Sequence, residues 1–235
     1  MEKILGRAML AKFKSEEIID SLQKGCVYMN TLTTFRRIER DSDDDKVGDW
    51  LDGLMHIHKG FLIVDEPNSV IQILENEGLR TKFSDDYCYC FFGMNETNYH
   101  KEFTDEQKQK FREMGEYALL ILNYEEFLRR FLNAISDKGY EVYDGFVNYY
   151  DPGIDSFNVR QLLGTEGLKM IPLLKRKKYS YQQEYRIVIH APNENKDHLE
   201  IEIGDISDIS KKIKAETLLK SKIVPASNSI KGGGN

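Results

Sequence analysis

One short stretch, Lys178–His190, constrains the fold more than any other part of the chain. It reads KYSYQQEYRIVIH, with apolar and polar residues in alternation. Because successive side chains of a β-strand point to opposite faces, this pattern predicts a strand with one largely apolar face. Its other face carries Gln182, Glu184 and Arg186, with neighbours roughly 6 to 7 Å apart. We expect the strand to bring a carboxylate into the core. An ordinary same-face Glu184–Arg186 ion pair is the alternative.

Length and composition favour a single globular domain. The chain has 235 residues, of which 40% are hydrophobic, so it can bury a sizeable core. We expect one domain over residues 1–225 and a flexible tail over 226–235. A net charge of -6 argues against a strongly basic nucleic-acid-binding surface.

The sequence predicts a cytoplasmic protein that does not enter a membrane. No apolar run approaches the roughly 18 residues that a membrane span requires, and charged residues interrupt the apolar part of the N-terminus. Three cysteines are too few for a disulfide framework, so we expect them to be reduced. Cys88 and Cys90 would share a strand face, but their spacing matches no common zinc motif, and no metal is expected.

Hydrophobic periodicity along the chain predicts alternating strands and helices. The predicted strands include Ala8–Phe13, Cys26–Asn30, Tyr87–Gly93, Ala118–Asn123 and Leu199–Ile203. The predicted helices begin after Ser15 and Asn123, follow a Thr104–Gln107 capping box, and cover Lys211–Leu219 at the end. This order indicates an α+β fold.

A basic segment followed by an acidic one lies between the predicted strands Cys26–Asn30 and Tyr87–Gly93. Arg36 and Arg37 lie on an expected helical turn, before the run DSDDDKVGDWLDG. Asp41, Asp43 and Asp45 have the spacing of ligands in a calcium-binding EF-hand loop. Lysine at position six and aspartate at position twelve do not fit that loop. The alternatives are a solvated loop or a segment that borders the site and rearranges over a ligand.

The order of these segments resembles the AbiGi-type abortive-infection family and related bacterial and phage proteins. The resemblance covers most of residues 8–190. The matching features begin with a strand, a helix, a glycine and a strand that contains tyrosine, followed by Gly48–Gly53 (GDWLDG). The aromatic strand, the strand that reads ALLILN and the final strand that reads EYRIVI complete the match. That family in turn resembles a compact ADP-ribosyltransferase. The resemblance therefore implies a split mixed β-sheet core with flanking helices, and NAD as the cofactor.

The resemblance also implies roles for individual residues. Glu184 matches the catalytic glutamate, and Gln182 matches the first position of the family's Gln/Glu-x-Glu pair. Tyr28 is similar to the aromatic residue that stacks on nicotinamide. Lys12 stands where the family usually has Arg or His, which is a departure. Asn30, Arg36, Arg37 and Arg186 complete the expected set of residues around the cofactor, with the helical arginines near the pyrophosphate.

Two functions follow from these expectations. The first is transfer of ADP-ribose from NAD to a protein, nucleic acid or small molecule, or hydrolysis of NAD, in phage–bacterium conflict. Either side of the conflict, defence or counter-defence, would suit it. The second is a non-catalytic protein that sequesters a nucleotide signal or neutralises a partner protein.

Overall fold

The computed structural model describes residues 9–42, 49, 52, 60–63, 70–73, 86–95, 101–151 and 171–222. The predicted tail over 226–235 lies outside this part of the chain. Within the described ranges, no helix combines the length and the hydropathy needed to cross a bilayer.

The described segments alternate between strands and helices, as the periodicity predicts. The strands are β1 (Met9–Lys14), β2 (Cys26–Thr31), β3 (Gly60–Ile63), β4 (Val70–Ile73), β5 (Tyr87–Met94), β6 (Tyr117–Ile121), β7 (Glu141–Phe146), β8 (Asn148–Tyr150), β9 (Leu174–Arg176), β10 (Glu184–His190), β11 (His198–Glu202) and β12 (Ser210–Lys214). The helices are α1 (Glu16–Gln23), α2 (Leu32–Ser42), α3 (Asp105–Met114), α4 (Tyr124–Ala134) and α5 (Ala215–Leu219). Short 3-10 helices cover Ile171–Leu173 and Lys177–Gln182.

Local capping explains where two of the helices begin. The Thr104 hydroxyl accepts a hydrogen bond from the backbone N–H of Gln107 at 3.1 Å, and the Gln107 side chain accepts one from the Thr104 N–H at 3.0 Å. The predicted capping box at the start of α3 is therefore confirmed. Asn123 caps α4 by accepting from the Glu126 N–H at 3.0 Å.

An eight-stranded sheet forms the core, with helices packed on its faces, so the predicted α+β class is confirmed. Every strand pairing within this sheet is antiparallel. The parallel pairing that the structure describes joins β8 to β9 in a separate two-stranded sheet. The large sheet is thus antiparallel in its described pairings, and not mixed as expected.

The sheet divides at β5. One edge of β5 pairs with β10 from Tyr87 to Phe92. The opposite edge is shared, because β1 pairs with Phe92, Gly93 and Met94 while β2 pairs with Tyr87 and Cys88. Between these two registers, residues 89–91 of β5 pair with neither strand. We call this divergence of β1 and β2 from β5 the fork.

The two faces of the sheet differ in polarity along β10. The face formed by Tyr185, Ile187 and Ile189 of β10 packs into the main apolar core, together with Phe127 and Phe131 of α4. The other face of β10 carries Glu184, Arg186 and Val188, all buried. The alternation that the sequence predicts for this strand is therefore present from Glu184 onward.

Two predicted element boundaries are wrong. Gln182 was expected on the strand beside Glu184, but it ends a 3-10 helix, and β10 begins only at Glu184. Gln183 separates them in a left-handed conformation with a φ of 43°, which interrupts the pleat. Lys211–Leu219 was expected to be one helix, but its first half belongs to β12, where Lys211 and Lys212 pair with Leu120 and Leu119. Sheet pairing here outweighs the local helix propensity.

The left-handed residue before Glu184 generates a stability prediction. A β-branched side chain is strained at positive φ, whereas glycine is not. We expect Gln183→Val to have a free energy of unfolding about 1–2 kcal/mol lower than Gln183→Gly. Both variants lack the amide side chain, so comparing them in urea denaturation isolates the backbone effect. Equal stabilities would contradict the prediction.

Candidate functional site

A cavity of about 670 Å³ opens at the fork, and we call it the fork cavity. Its wall is largely apolar. Strands of the fork and the helices α1, α2 and α3 contribute side chains to it, including Phe13, Ile18, Phe35, Phe92, Phe111 and Met114. Ligand sites commonly have volumes of roughly 300 to 1,000 Å³ and combine apolar walls with a few converging polar groups. The polar groups here gather around Glu184.

The carboxylate of Glu184 is buried and fully paired. Its Oε1 accepts from the Lys175 ammonium at 2.6 Å, and its Oε2 accepts from Nε of Arg186 at 2.7 Å. Burial by itself disfavours ionisation, but the charges of Arg186 and Lys175 outweigh it and lower the pKa of Glu184 to about 2. Glu184 is therefore an ionised, fixed carboxylate at neutral pH and not an acid that donates a proton.

Arg186 connects Glu184 to the acidic segment. Its two terminal nitrogens donate to the two carboxylate oxygens of Asp52 at 2.6 and 2.9 Å, and one of them also donates to the Pro172 carbonyl at 2.6 Å. All these groups are buried. Burial alone would lower the pKa of Arg186, but the neighbouring charges of Asp52 and Glu184 raise it well above its usual value. Arg186 thus orients Glu184 and keeps it ionised.

The described part of the acidic segment lies against the site. Asp49 is fully buried and accepts from Nε of Arg176 at 2.6 Å. The carbonyl of Asp52 accepts from a terminal nitrogen of Arg36 at 2.6 Å. The structure therefore agrees with a segment that borders the site at these two aspartates. The calcium interpretation involved the side chains of Asp41, Asp43 and Asp45, which lie outside the described residues.

Lys175 joins Gln182 to Glu184. Besides its bond to Glu184, the ammonium donates to the amide oxygen of Gln182 at 2.6 Å. Burial opposes its charge, yet Glu184 and Asp52 raise the pKa of Lys175. Gln182 thus lies beside the carboxylate as predicted. The two side chains are connected by the lysine that bonds to both, and they do not share a strand face.

Lys12, on β1, places a desolvated cation in the site. Its ammonium donates to the Cys90 carbonyl at 2.6 Å and lies 4.3 Å from the centre of the Tyr89 ring. Within the described part of the chain, no carboxylate forms an ion pair with it. Desolvation, offset in part by Cys90, lowers the pKa of Lys12 to about 8. The fork cavity therefore contains a desolvated positive charge that forms no ion pair with a described carboxylate, although the charge of Glu184 acts on it from a distance.

Tyr28 and Asn30 line the other arm of the fork cavity. The Tyr28 ring stacks on His198, with ring centres 4.7 Å apart and planes 17° from parallel. It nevertheless remains 46% exposed, which is unusual for a large aromatic residue in this protein. A half-covered ring at the mouth of a cavity is suited to stacking on a flat ligand.

Six of the eight residues predicted for the site line the fork cavity, namely Lys12, Tyr28, Asn30, Gln182, Glu184 and Arg186. Arg36 and Arg37 do not belong to this lining. Arg36 instead bonds to the Asp52 carbonyl and to the Thr33 hydroxyl, and Arg37 lies 3.6 Å from the Asp197 carboxylate at the surface. The predicted contact of these arginines with a pyrophosphate is not supported by their positions.

Sequence reasoning missed Lys175 and Asp52. Both are 1% exposed, and both belong to the paired charges around Glu184. A weak signal was available for Lys175, because it directly follows the apolar run IPLL. Asp52 lies in the GDWLDG motif and in the acidic segment that was expected to border the site, but nothing in the sequence assigned it to Arg186, which lies 134 residues later.

The described residues offer no metal site. Among them, no three His, Cys, Asp or Glu side chains converge as metal ligands would. Cys88 and Cys90 do share a strand face, with their sulfur atoms 3.7 Å apart.

Comparison of the chain with family models, curated proteins and solved structures gave no match. Its residues and geometry therefore have to support any functional proposal.

The desolvated charge of Lys12 generates a second stability prediction. Replacement by Met removes a charge whose pKa falls from 10.5 to about 8 on folding, a penalty of at most about 3 kcal/mol at neutral pH. The variant also loses one hydrogen bond, worth about 1 kcal/mol. We expect Lys12→Met to raise the free energy of unfolding at pH 7 by about 1–2 kcal/mol.

The pH dependence provides the sharper measurement. Between about pH 8 and 10.5 the folded chain has released the Lys12 proton while the unfolded chain retains it, so the stability of the wild type rises with pH across this window. Lys12→Met should lack that rise. Lys24→Met, at an exposed position, is the control and should change stability by less than about 0.5 kcal/mol. A Lys12→Met variant less stable than the wild type at pH 7 would contradict the assignment.

Proposed function

We propose that the protein binds NAD in the fork cavity and acts on the bond between nicotinamide and ribose. It would transfer ADP-ribose to an acceptor or hydrolyse NAD. The observation that supports this most is the convergence of Glu184, Gln182, Lys12 and Tyr28 on one cavity of about 670 Å³. These residues come from three separate parts of the sequence, and the divided sheet brings them together.

The buried charges at the inner end of the cavity favour an anionic ligand there, although the complete lining, which adds Lys14, Glu17 and Glu200, is formally neutral. The inner cluster contains the cations Lys12, Lys175 and Arg186, but only the two buried carboxylates of Glu184 and Asp52. Its formal charge is therefore +1 when Lys12 is protonated. A phosphate group near Lys12 would supply the missing negative charge, and desolvation of the site would strengthen that attraction.

The fixed carboxylate suits chemistry at an anomeric carbon. When the nicotinamide–ribose bond breaks, its electron pair leaves with nicotinamide and positive charge develops on the ribose. An ionised Glu184 beside the ribose would stabilise that charge more in the transition state than in bound NAD. Gln182 would orient the acceptor or the water, whose proton is lost as its oxygen bonds to the ribose carbon.

Tyr28 and Asn30 would hold the leaving group. The open face of the Tyr28 ring offers a stacking surface for nicotinamide, while His198 supports the ring from the other side. Asn30 lies on the same strand face, two residues further along β2, and can hydrogen-bond to an amide. The resemblance to AbiGi-type proteins adds phage–bacterium conflict as the setting in which this activity would act.

A second candidate is a non-catalytic protein that binds a nucleotide, or a partner protein, without consuming anything. One observation favours it: both oxygens of Glu184 are already bonded to Lys175 and Arg186. A carboxylate held in this way could serve mainly to balance buried charge. Binding without turnover would distinguish this candidate from an enzyme.

The central prediction concerns nicotinamide release. Purified protein incubated with NAD should release nicotinamide, and Glu184→Gln should lower the rate at least about 100-fold, because the stabilising charge is lost. Loss of this charge also leaves Lys175 without its carboxylate partner and Arg186 paired with Asp52 alone, so the melting temperature of the variant must be measured beside its activity.

Two further variants separate catalysis from folding. Tyr28→Ala changes an exposed residue outside the ion network and should raise KM for NAD about tenfold with little effect on stability. Glu202→Gln removes an exposed carboxylate outside the fork cavity and should keep full activity. Calorimetric binding of NAD without release would support the non-catalytic candidate. Absence of both NAD binding and nicotinamide release would overturn the proposal that NAD is the ligand.

A further inference from the structure

Two thiols lie side by side beneath the fork cavity. Cys88 and Cys90 share the face of β5 that carries Glu184 and Arg186 on the neighbouring strand, and their sulfur atoms are 3.7 Å apart. Cys88 is 1% exposed, whereas Cys90 is half-buried. Both belong to the cavity wall.

The surroundings of Cys90 favour its thiolate. In the sheet register Cys90 stands directly opposite Arg186, and its carbonyl accepts the hydrogen bond from the Lys12 ammonium. A hydrogen bond from Cys88 lowers the pKa of Cys90, and the positive charges of Arg186 and Lys12 lower it further. Burial and the negative charge of Glu184 act in the opposite direction but do not outweigh these effects. Burial raises the pKa of Cys88 well above its usual value, so Cys88 remains a thiol that can donate.

We infer that Cys90 is a modification site, at which a small hydroperoxide that enters the fork cavity oxidises the sulfur to a sulfenic acid. The thiolate attacks one peroxide oxygen, the O–O bond breaks, and the second oxygen leaves as hydroxide, or as alkoxide from an organic hydroperoxide. Sulfur is oxidised by two electrons and the peroxide is reduced by two. This inference requires the cavity and its charges, but it does not depend on the proposed action on NAD.

The product is expected to remain a sulfenic acid. Same-face neighbours on a strand have Cα atoms roughly 6.5 to 7 Å apart, at the upper limit for a disulfide. The two thiols lie on the part of β5 that pairs with β10, from Tyr87 to Phe92, so the strand resists the bend that a Cys88–Cys90 disulfide would require. The added oxygen would then occupy cavity space beside Lys12 and Glu184.

Cys26 provides a control within the same cavity. It is also half-buried and also lines the fork cavity. Its charged neighbours are different, however. Burial raises the pKa of Cys26, and the nearby carboxylates of Glu202 and Glu200 raise it further. Both cysteines therefore line the cavity, but Cys26 lies nearer solvent, and the shifts of the two pKa values have opposite directions.

The test treats the purified full-length chain with hydrogen peroxide in the presence of dimedone, which traps sulfenic acids, and locates the adducts by peptide mass spectrometry. We expect Cys90 to be labelled at least about tenfold faster than Cys26. Cys88→Ala removes the donor and should slow labelling of Cys90 several-fold, whereas Cys88→Ser retains a donor and should restore much of the rate.

Labelling of Cys26 as fast as that of Cys90, or no adduct at Cys90, would overturn the inference. An unchanged rate in Cys88→Ala would also overturn it, because the thiol pair would then have no role. Added NAD should slow labelling of Cys90 if it occupies the cavity. Absence of this protection counts against NAD as the ligand, while the inference about Cys90 is judged by the adducts alone.

Discussion

The candidate site exists because one edge of β5 is shared between two strands. A sheet edge exposes backbone N–H and C=O groups, which need partners when they are buried. Where β1 has left β5 and β2 has not yet reached it, the Cys90 carbonyl would lack such a partner, and the Lys12 ammonium takes that position at 2.6 Å. The division of the sheet thus creates the cavity and also fixes a cation inside it.

The second constraint is the set of buried charges around Glu184. Buried ion pairs seldom stabilise a fold compared with apolar residues of the same volume, because removing charges from water costs several kcal/mol per ion. Here Lys175, Arg186, Asp52 and Glu184 are each exposed by 7% or less. They join β9, β10 and the acidic segment around one carboxylate. Such an arrangement is more easily understood as the support of a functional group than as a source of stability.

Local patterns in the sequence predict local structure well, and long-range contacts poorly. The alternation in EYRIVIH places Glu184 and Arg186 on one face of β10, and the spacing of Thr104 and Gln107 predicts the cap of α3. The same alternation fails one residue earlier, because Gln183 is left-handed and breaks the period. Asp52 could not have been assigned to Arg186 from the sequence, since only the folded chain brings these distant positions together.

The pairing of Glu184 remains compatible with catalysis. Each carboxylate oxygen can accept two hydrogen bonds, and in this structure each accepts one from the described side chains, so a ribose hydroxyl could still be accommodated. Lys175 and Arg186 hold the carboxylate in one rotamer and keep it ionised, as stabilisation of a developing positive charge requires. What separates an enzyme from a binding protein is therefore the position of the acceptor relative to Gln182. The Gln182 amide oxygen accepts from Lys175 and its amide nitrogen donates to the Tyr181 hydroxyl at 3.3 Å, so an acceptor would have to join or replace these contacts.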